Sequence, residues 1–197
     1  MAMVLMAIGT AAVMSMQKAS VQGNLDARMT DVANSIARSW TDRLARDAMA
    51  WTVGENSSPS AGLMQTTQML GALYANGGKW DFPIAIPAST TDPSATISPC
   101  YDILGRELDK NTIKNTPAQF CVHARATFLS PLQDLLRVDV RVVWARGITA
   151  IPSVVSDPSL ANSNAPSVTA YHTLYATTCV MENPSQVVPG QGIPVTP

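Results

Sequence analysis

The side chains able to carry chemistry are few and widely spaced. His123 and His172 fall in two separate predicted strands, so each reads as an exposed strand residue rather than a ligand or a base. Asp102, Glu107 and Asp109 form a small acidic group beside Arg106 and Lys110, but the run lacks the glycine and terminal glutamate of an EF-hand loop and reads as a solvated loop. Cys100, Cys121 and Cys179 have neither CxxC nor metal-ligand spacing, which argues against zinc. No GxSxG, phosphate-binding glycine loop, HExxH or histidine pair at helical spacing occurs. Asn56-Ser57-Ser58 is a bare glycosylation triplet. This inventory predicts a protein that is not an enzyme and uses no cofactor or metal. The function must then lie in how the chain is built.

Charge is sparse and uneven. Charged residues make up 14% of the 197 residues and the net charge is -1, against roughly 25% charged in an ordinary soluble domain. A near-neutral chain without a basic cluster excludes nucleic acid as a partner, because phosphate neutralisation needs several Lys or Arg together. A hydrophobic content of 46% excludes a disordered chain. No charge precedes Lys18 and no proline precedes Pro59. The opening therefore differs in kind from the rest.

Residues 1–17 (MAMVLMAIGTAAVMSMQ) are apolar on every side, and at 1.5 Å rise they span about 25 Å, the short edge of what crosses a bilayer. A signal peptide would need a basic start and a small-residue cleavage site, and neither is clear. The helical pattern does not stop there. Val21, Leu25, Met29, Val32, Ile36, Trp40 and Leu44 recur at steps of three and four, which places them on one stripe. Arg38 with Asp42, Asp42 with Arg46, and Arg43 with Asp47 stand at ion-pair spacing on other faces. Gly9 and Gly23 weaken the rod by about 1 kcal/mol each relative to alanine. The pattern predicts one helix of about 50 residues, roughly 75 Å long, ending at the Gly, Asn, Ser and Pro cluster after Trp51.

The segment VLMAIGTAAVMSMQKASVQGN, continued by LDARMTDVANSIARSWTDRLARDAMAWT, resembles the N-terminal helix of type IV pilins, and most of all that of PilV-like minor pilins. The likeness covers about the first 52 residues and rests on the handover from an all-apolar to an amphipathic helix. It implies that Met1 is a mature N-terminus carrying a methylated amine. It also implies that Met1, Met3, Val4, Leu5, Met6, Ile8, Val13 and Met14 sit first in the inner membrane and then in a filament core, against other pilin subunits. One departure stands out: most pilins carry a glutamate near the N-terminus, and here Met3 or Leu5 occupies that place. Such a glutamate compensates a neighbour's buried ammonium, so its absence suits a position where no amine needs pairing, such as a filament tip with an adhesin.

The remainder, 53–197, is expected to be a β-rich domain. A short helix is predicted over 61–74 and an extended aromatic stretch over 79–87, kept off a central strand by Pro83 and Pro87. Alternation predicts strands over 120–129, 137–144 and 171–181, the first two as an antiparallel hairpin. In the second, Val138, Val140, Val142 and Trp144 face inward, with Arg137, Asp139 and Arg141 outward. Residues 148–170 and the tail after Asn183 read as Pro/Ser-rich loops. The apolar face of such a sheet needs a cover, and the stripe from Val21 to Leu44 with Trp51 supplies it. The fold class is thus α+β, a long N-terminal helix (1–17 membrane or filament core, 18–52 amphipathic) on a small antiparallel sheet, pilin-like. An exported body makes one disulfide reasonable; Cys100–Cys121 is preferred, with Cys121–Cys179 or three reduced thiols left open. A structural pilus subunit follows, with a type II secretion pseudopilin, a major filament subunit or a bitopic periplasmic binding protein as alternatives.

Overall fold

The computed structural model describes residues 2–53, 58–83, 99–108, 118–145 and 171–183, with the side chains of residues 2–5, 7–9 and 11 outside that description. Among the described residues three helices, α1 (Ala2–Ala48), α2 (Pro59–Thr66) and α3 (Met69–Ala75), precede four strands: β1 (Cys100–Tyr101), β2 (Phe120–Phe128), β3 (Leu135–Ala145) and β4 (Tyr171–Met181). The strands form one sheet in the order β1-β2-β3-β4 with every neighbour antiparallel. The architecture is α+β: a long N-terminal helix against a four-stranded antiparallel sheet.

α1 runs unbroken through Gly9 and Gly23. After Ala48 the chain tightens into i to i+3 turns, with the Trp51 amide donating to the Ala48 carbonyl at 3.0 Å, so the α-helix stops three residues short of Trp51. The predicted helix over 61–74 is two helices. α2 opens on Ser58, whose hydroxyl accepts from the Ala61 amide, followed by Pro59 in the first turn, where a missing N–H costs nothing. It ends at Thr67, which is extended. α3 then starts under a remote cap: the Asp47 carboxylate accepts from the amides of Gln68, Met69 and Leu70 at 3.0, 2.9 and 2.9 Å. Three donors that have no partner within the helix meet one anion at the positive end of the helix dipole.

The inner sheet face is built from alternate residues. Phe120, Val122, Ala124 and Ala126 of β2, and Leu136, Val138, Val140 and Val142 of β3, are all buried. They pack against Ala33, Ile36, Ala37, Trp40 and Leu44 of α1 and Leu70 and Leu73 of α3 in one core. Each fully buried Leu, Val or Phe contributes about 1.5–3 kcal/mol of transfer free energy before entropy is counted. Two of the three core tryptophans satisfy their polar ends inside the core: Trp40 Nε1 donates to the Tyr101 hydroxyl at 2.7 Å, and Trp51 Nε1 to the Pro59 carbonyl at 3.1 Å.

The stripe expected to pack along its whole length does so only in part. Ile36, Trp40 and Leu44 are buried and Met29 and Val32 pack half-buried at the margin, but Val21 and Leu25 are 59% and 52% exposed. The same periodicity thus continues beyond the part of the helix that the described body buries. The predicted extended stretch over 79–87 is described as far as Pro83; within it Asp81 makes an antiparallel bridge to Ala124, and residues 84–87 lie outside the described residues. So do the predicted loops over 148–170 and the tail beyond Asn183.

Candidate functional site

The first surface of interest is the projecting half of α1. Met6, Val13, Met14, Met16, Val21 and Leu25 are between 52 and 77% exposed. From Ala2 to Met29 the helix extends about 40 Å at 1.5 Å per residue. Along it the exposed Met, Val and Leu side chains form an apolar patch, interrupted by Lys18 and Asp26, of the kind that interaction surfaces present. Of the residues assigned to this segment from the sequence, Met6, Val13 and Met14 stand exposed on the arm. Met3, Val4, Leu5 and Ile8 are helical in backbone, their side chains outside the described residues, and Met1 lies outside the described residues altogether. Among the described residues no helix is long and apolar enough to cross a membrane.

The packed half of α1 is held to the body in five ways. Arg43 pairs with Glu107 through two hydrogen bonds of 3.2 Å, and its guanidinium lies 4.9 Å from the Trp40 ring centre. The hydrogen bonds that Arg43 donates to Glu107 raise its pKa above the ordinary value. Tyr101 accepts from Trp40, and burial, aided by Glu107, pushes its phenol up to about 12. A disulfide joins Cys100 to Cys121, directly opposite each other on β1 and β2 with Cα atoms 4.1 Å apart. Asp47, the cap of α3, ties the other end of the packed half to the body. Finally, Gly105 (φ +74°) turns the β1 hairpin so closely over α1 that a Cβ there would sit 2.9 Å from Val32 Cγ1.

These contacts correct the ion pairs expected within the helix. Arg43 turns to Glu107 instead of Asp47, Asp47 caps α3, and the Arg46 guanidinium donates to the Asp42 carbonyl at 3.2 Å. Long-range partners that are partly buried outcompete neighbours worth a few tenths of a kcal/mol. The alternative bridge Cys121–Cys179 is excluded by register: Cys121 lies opposite Val143 and Cys179 opposite Arg137, with β3 between their strands. Cys179 is an exposed free thiol.

The second surface is the outer sheet face, expected to be solvated. It is not. His123 is fully buried, and Asp139 and Arg141 are nearly so. The chain around Asp81 runs alongside β2 and lays Trp80 and Phe82 over this face. The Trp80 ring meets the guanidinium groups of Arg125 and Arg141 at 4.7 and 4.3 Å, and Phe82 meets His123 at 5.2 Å between ring centres. Beneath them Arg141 Nε donates to His123 Nδ1 at 3.1 Å. Asp139 accepts from Arg125 at 2.9 Å, Arg137 at 2.8 Å and Thr177 at 2.7 Å. Burial alone would raise the Asp139 pKa, but the hydrogen bonds from Thr177, Arg137 and Arg125 outweigh it and hold the carboxyl below its ordinary range. Burial lowers the Arg141 pKa. His172, on the inner side of β4, stacks on Trp144 at 5.3 Å. The two histidines stay apart, on β2 and β4 with β3 between them.

Among the described residues no group of His, Cys, Asp or Glu could hold a metal ion. Asp102 closes a turn by accepting from the amides of Leu104 and Arg106, and pairs with the Arg106 side chain at 3.1 Å. Asp109 and Lys110 lie outside the described residues, as do Asn56 and Ser57, while Ser58 caps α2. Among known proteins, no family model, no curated protein and no solved structure matches this chain.

Proposed function

We propose that this chain is a structural subunit of a type IV pilus or related extracellular filament, a minor pilin in kind, assembled through its apolar N-terminal helix. The observation that carries the reading is the division of α1: one continuous helix whose C-terminal part is fixed in the core and whose N-terminal part presents exposed Met, Val and Leu side chains beyond the body. A helix of this form serves two environments in turn. In the inner membrane the arm lies among lipid tails; during assembly it leaves them and packs among the arms of other subunits. Dispersion contacts and close packing then replace lipid contacts, while the sheet body stays outside, free to meet further subunits or an adhesin. Rigid attachment at Trp40, Arg43 and Asp47 transmits the pull on the body to the arm.

The test is mass spectrometry of the native N-terminus. The proposal expects N-methylmethionine at Met1, left by removal of a short basic leader ending in glycine. An unmethylated chain retained only in membranes would favour the bitopic anchor instead.

A further inference from the structure

The strap of residues 79–83 that covers the outer sheet face lies on a neutral histidine. Gly77 and Gly78, at φ +66° and +74°, turn the chain from the end of α3 onto the edge of β2. There the Asp81 amide donates to the Ala124 carbonyl at 3.0 Å and the Ala124 amide donates back to Asp81 at 2.8 Å. Trp80 and Phe82 flank this bridge and so project to one side, over Arg125 and Arg141 and over His123. Trp80 also meets Tyr175 of β4 at 6.0 Å between ring centres. Beneath the strap, Arg141 Nε donates to Nδ1 of the wholly buried His123 at 3.1 Å. A guanidinium has no acceptor, so Nδ1 is the unprotonated nitrogen and the closed strap rests on an uncharged imidazole.

We propose that His123 is a proton-operated latch: taking up a proton in mild acid, it releases the strap of residues 79–83 from the outer sheet face. A proton on Nδ1 removes the acceptor for Arg141 and sets a new cation against Arg141 and Arg125 in a place closed to water. The described acids on hand are already engaged. Asp139 of β3 accepts from Arg125, Arg137 and Thr177, and Asp81 of the strap accepts from Asn76 Nδ2 and the Phe82 amide. Tyr171 and Tyr175 of β4 bring hydroxyls rather than charge, and Lys79 on the strap is a further, exposed cation. Lifting the strap gives the imidazole access to water, where the proton is held at the ordinary histidine value of about 6.5. The closed strap is therefore fully favoured above that value and is progressively lost as pH falls below it. Asp139, held below the ordinary carboxyl range, keeps its charge across this window. Opening uncovers the Trp80 and Phe82 rings on the strap and His123 with Arg141 on the sheet, a surface shown only in acid.

The test is native-state hydrogen exchange on the full oxidised chain in detergent from pH 7 to 5, with rates corrected for the intrinsic pH dependence of exchange. Protection of the Asp81 and Ala124 amides should fall about 25-fold, the effect of one proton bound on opening. The Val140 amide, in the central strand β3, should stay at least about 100-fold better protected at every pH, which marks the opening as local. His123→Asn leaves an oxygen near the Nδ1 position to accept from Arg141 and takes up no proton, so its strap protection should change less than about twofold over the same range. His172→Asn should keep the wild-type fall. Strap protection that is flat in the wild type, strap amides no better or worse protected than Val140, or an undiminished fall in His123→Asn would each overturn the latch. The nitrogen NMR shifts of the wild-type imidazoles carry the test without a substitution. His123 should gain its proton in step with the loss of strap protection, and a protonated His123 under a strap that stays protected would overturn the proposal.

Discussion

Removing the Cys100–Cys121 bridge tests how the base of the arm is held. The perturbation is Cys100→Ala with Cys121→Ala, both residues being buried so that alanine leaves no orphaned hydroxyl. The bridge closes a loop with a sequence separation of 21, for which the chain-entropy relation gives about 3 kcal/mol lost on removal at 25 °C. The native state also loses the clamp on a strand of only two residues, which carries Tyr101 to Trp40 and leads to Glu107 on Arg43. With a urea slope of roughly 2 kcal/mol per molar, the unfolding midpoint should fall by about 1.5 M. The assay is equilibrium urea unfolding followed by tryptophan fluorescence, since Trp40 and Trp51 are buried in the core, with Cys179→Ser in both proteins. A shift below about 0.5 M would refute the reasoning, because β1 would then be held by its hydrogen bonds and ion pair without help from the bridge.

Three further outcomes follow from the packing. Leu44→Ala should cost about 3 kcal/mol by urea unfolding and Leu25→Ala less than about 0.5 kcal/mol, since the first is fully buried and the second exposed; equal costs would move the boundary of the packed half. Asp47→Ala removes three hydrogen bonds from the start of α3 and should destabilise the chain by roughly 1–2 kcal/mol, whereas Asp47→Asn keeps part of the cap and should cost less. The depressed pKa of Asp139 gives stability that is complete above the unfolded carboxyl value near 4 and is lost as pH falls through the lower folded value. Stability curves between pH 5 and 2 should therefore be flatter for Asp139→Asn than for the wild type, and parallel curves would contradict the assignment.

Where a pattern was long and local, the sequence carried the answer. The alternation from Val138 to Trp144 located β3, and the spacing from Met29 to Leu44 located the packed half of α1, because each follows from burying one face of a regular element. What the sequence hid depended on distant partners. β1 has two residues, too few for any period, and the break between α2 and α3 is made by Asp47, twenty-one residues before the first amide it caps. The burial of His123, Asp139 and Arg141 could not be seen in their own strands, which alternate as a solvated face would. The signal lay in Trp80 and Phe82, an aromatic pair in an otherwise polar stretch, which needed a surface to cover. Val21 and Leu25 show the converse: they continue the stripe but stand exposed, so the helix–sheet packing expected of them is not made by the described residues.

The central claim is that the exposed arm of α1 ends among the arms of other subunits. The most direct measurement places a photocrosslinking amino acid at Met14, 71% exposed, in the chain expressed in its native cell. Surface filaments are then sheared off after illumination. The account predicts that the chain is recovered in the sheared fraction, crosslinked through position 14 to the N-terminal helix of another subunit. Recovery only in the membrane fraction, with crosslinks to lipid and none to a filament subunit, would contradict it.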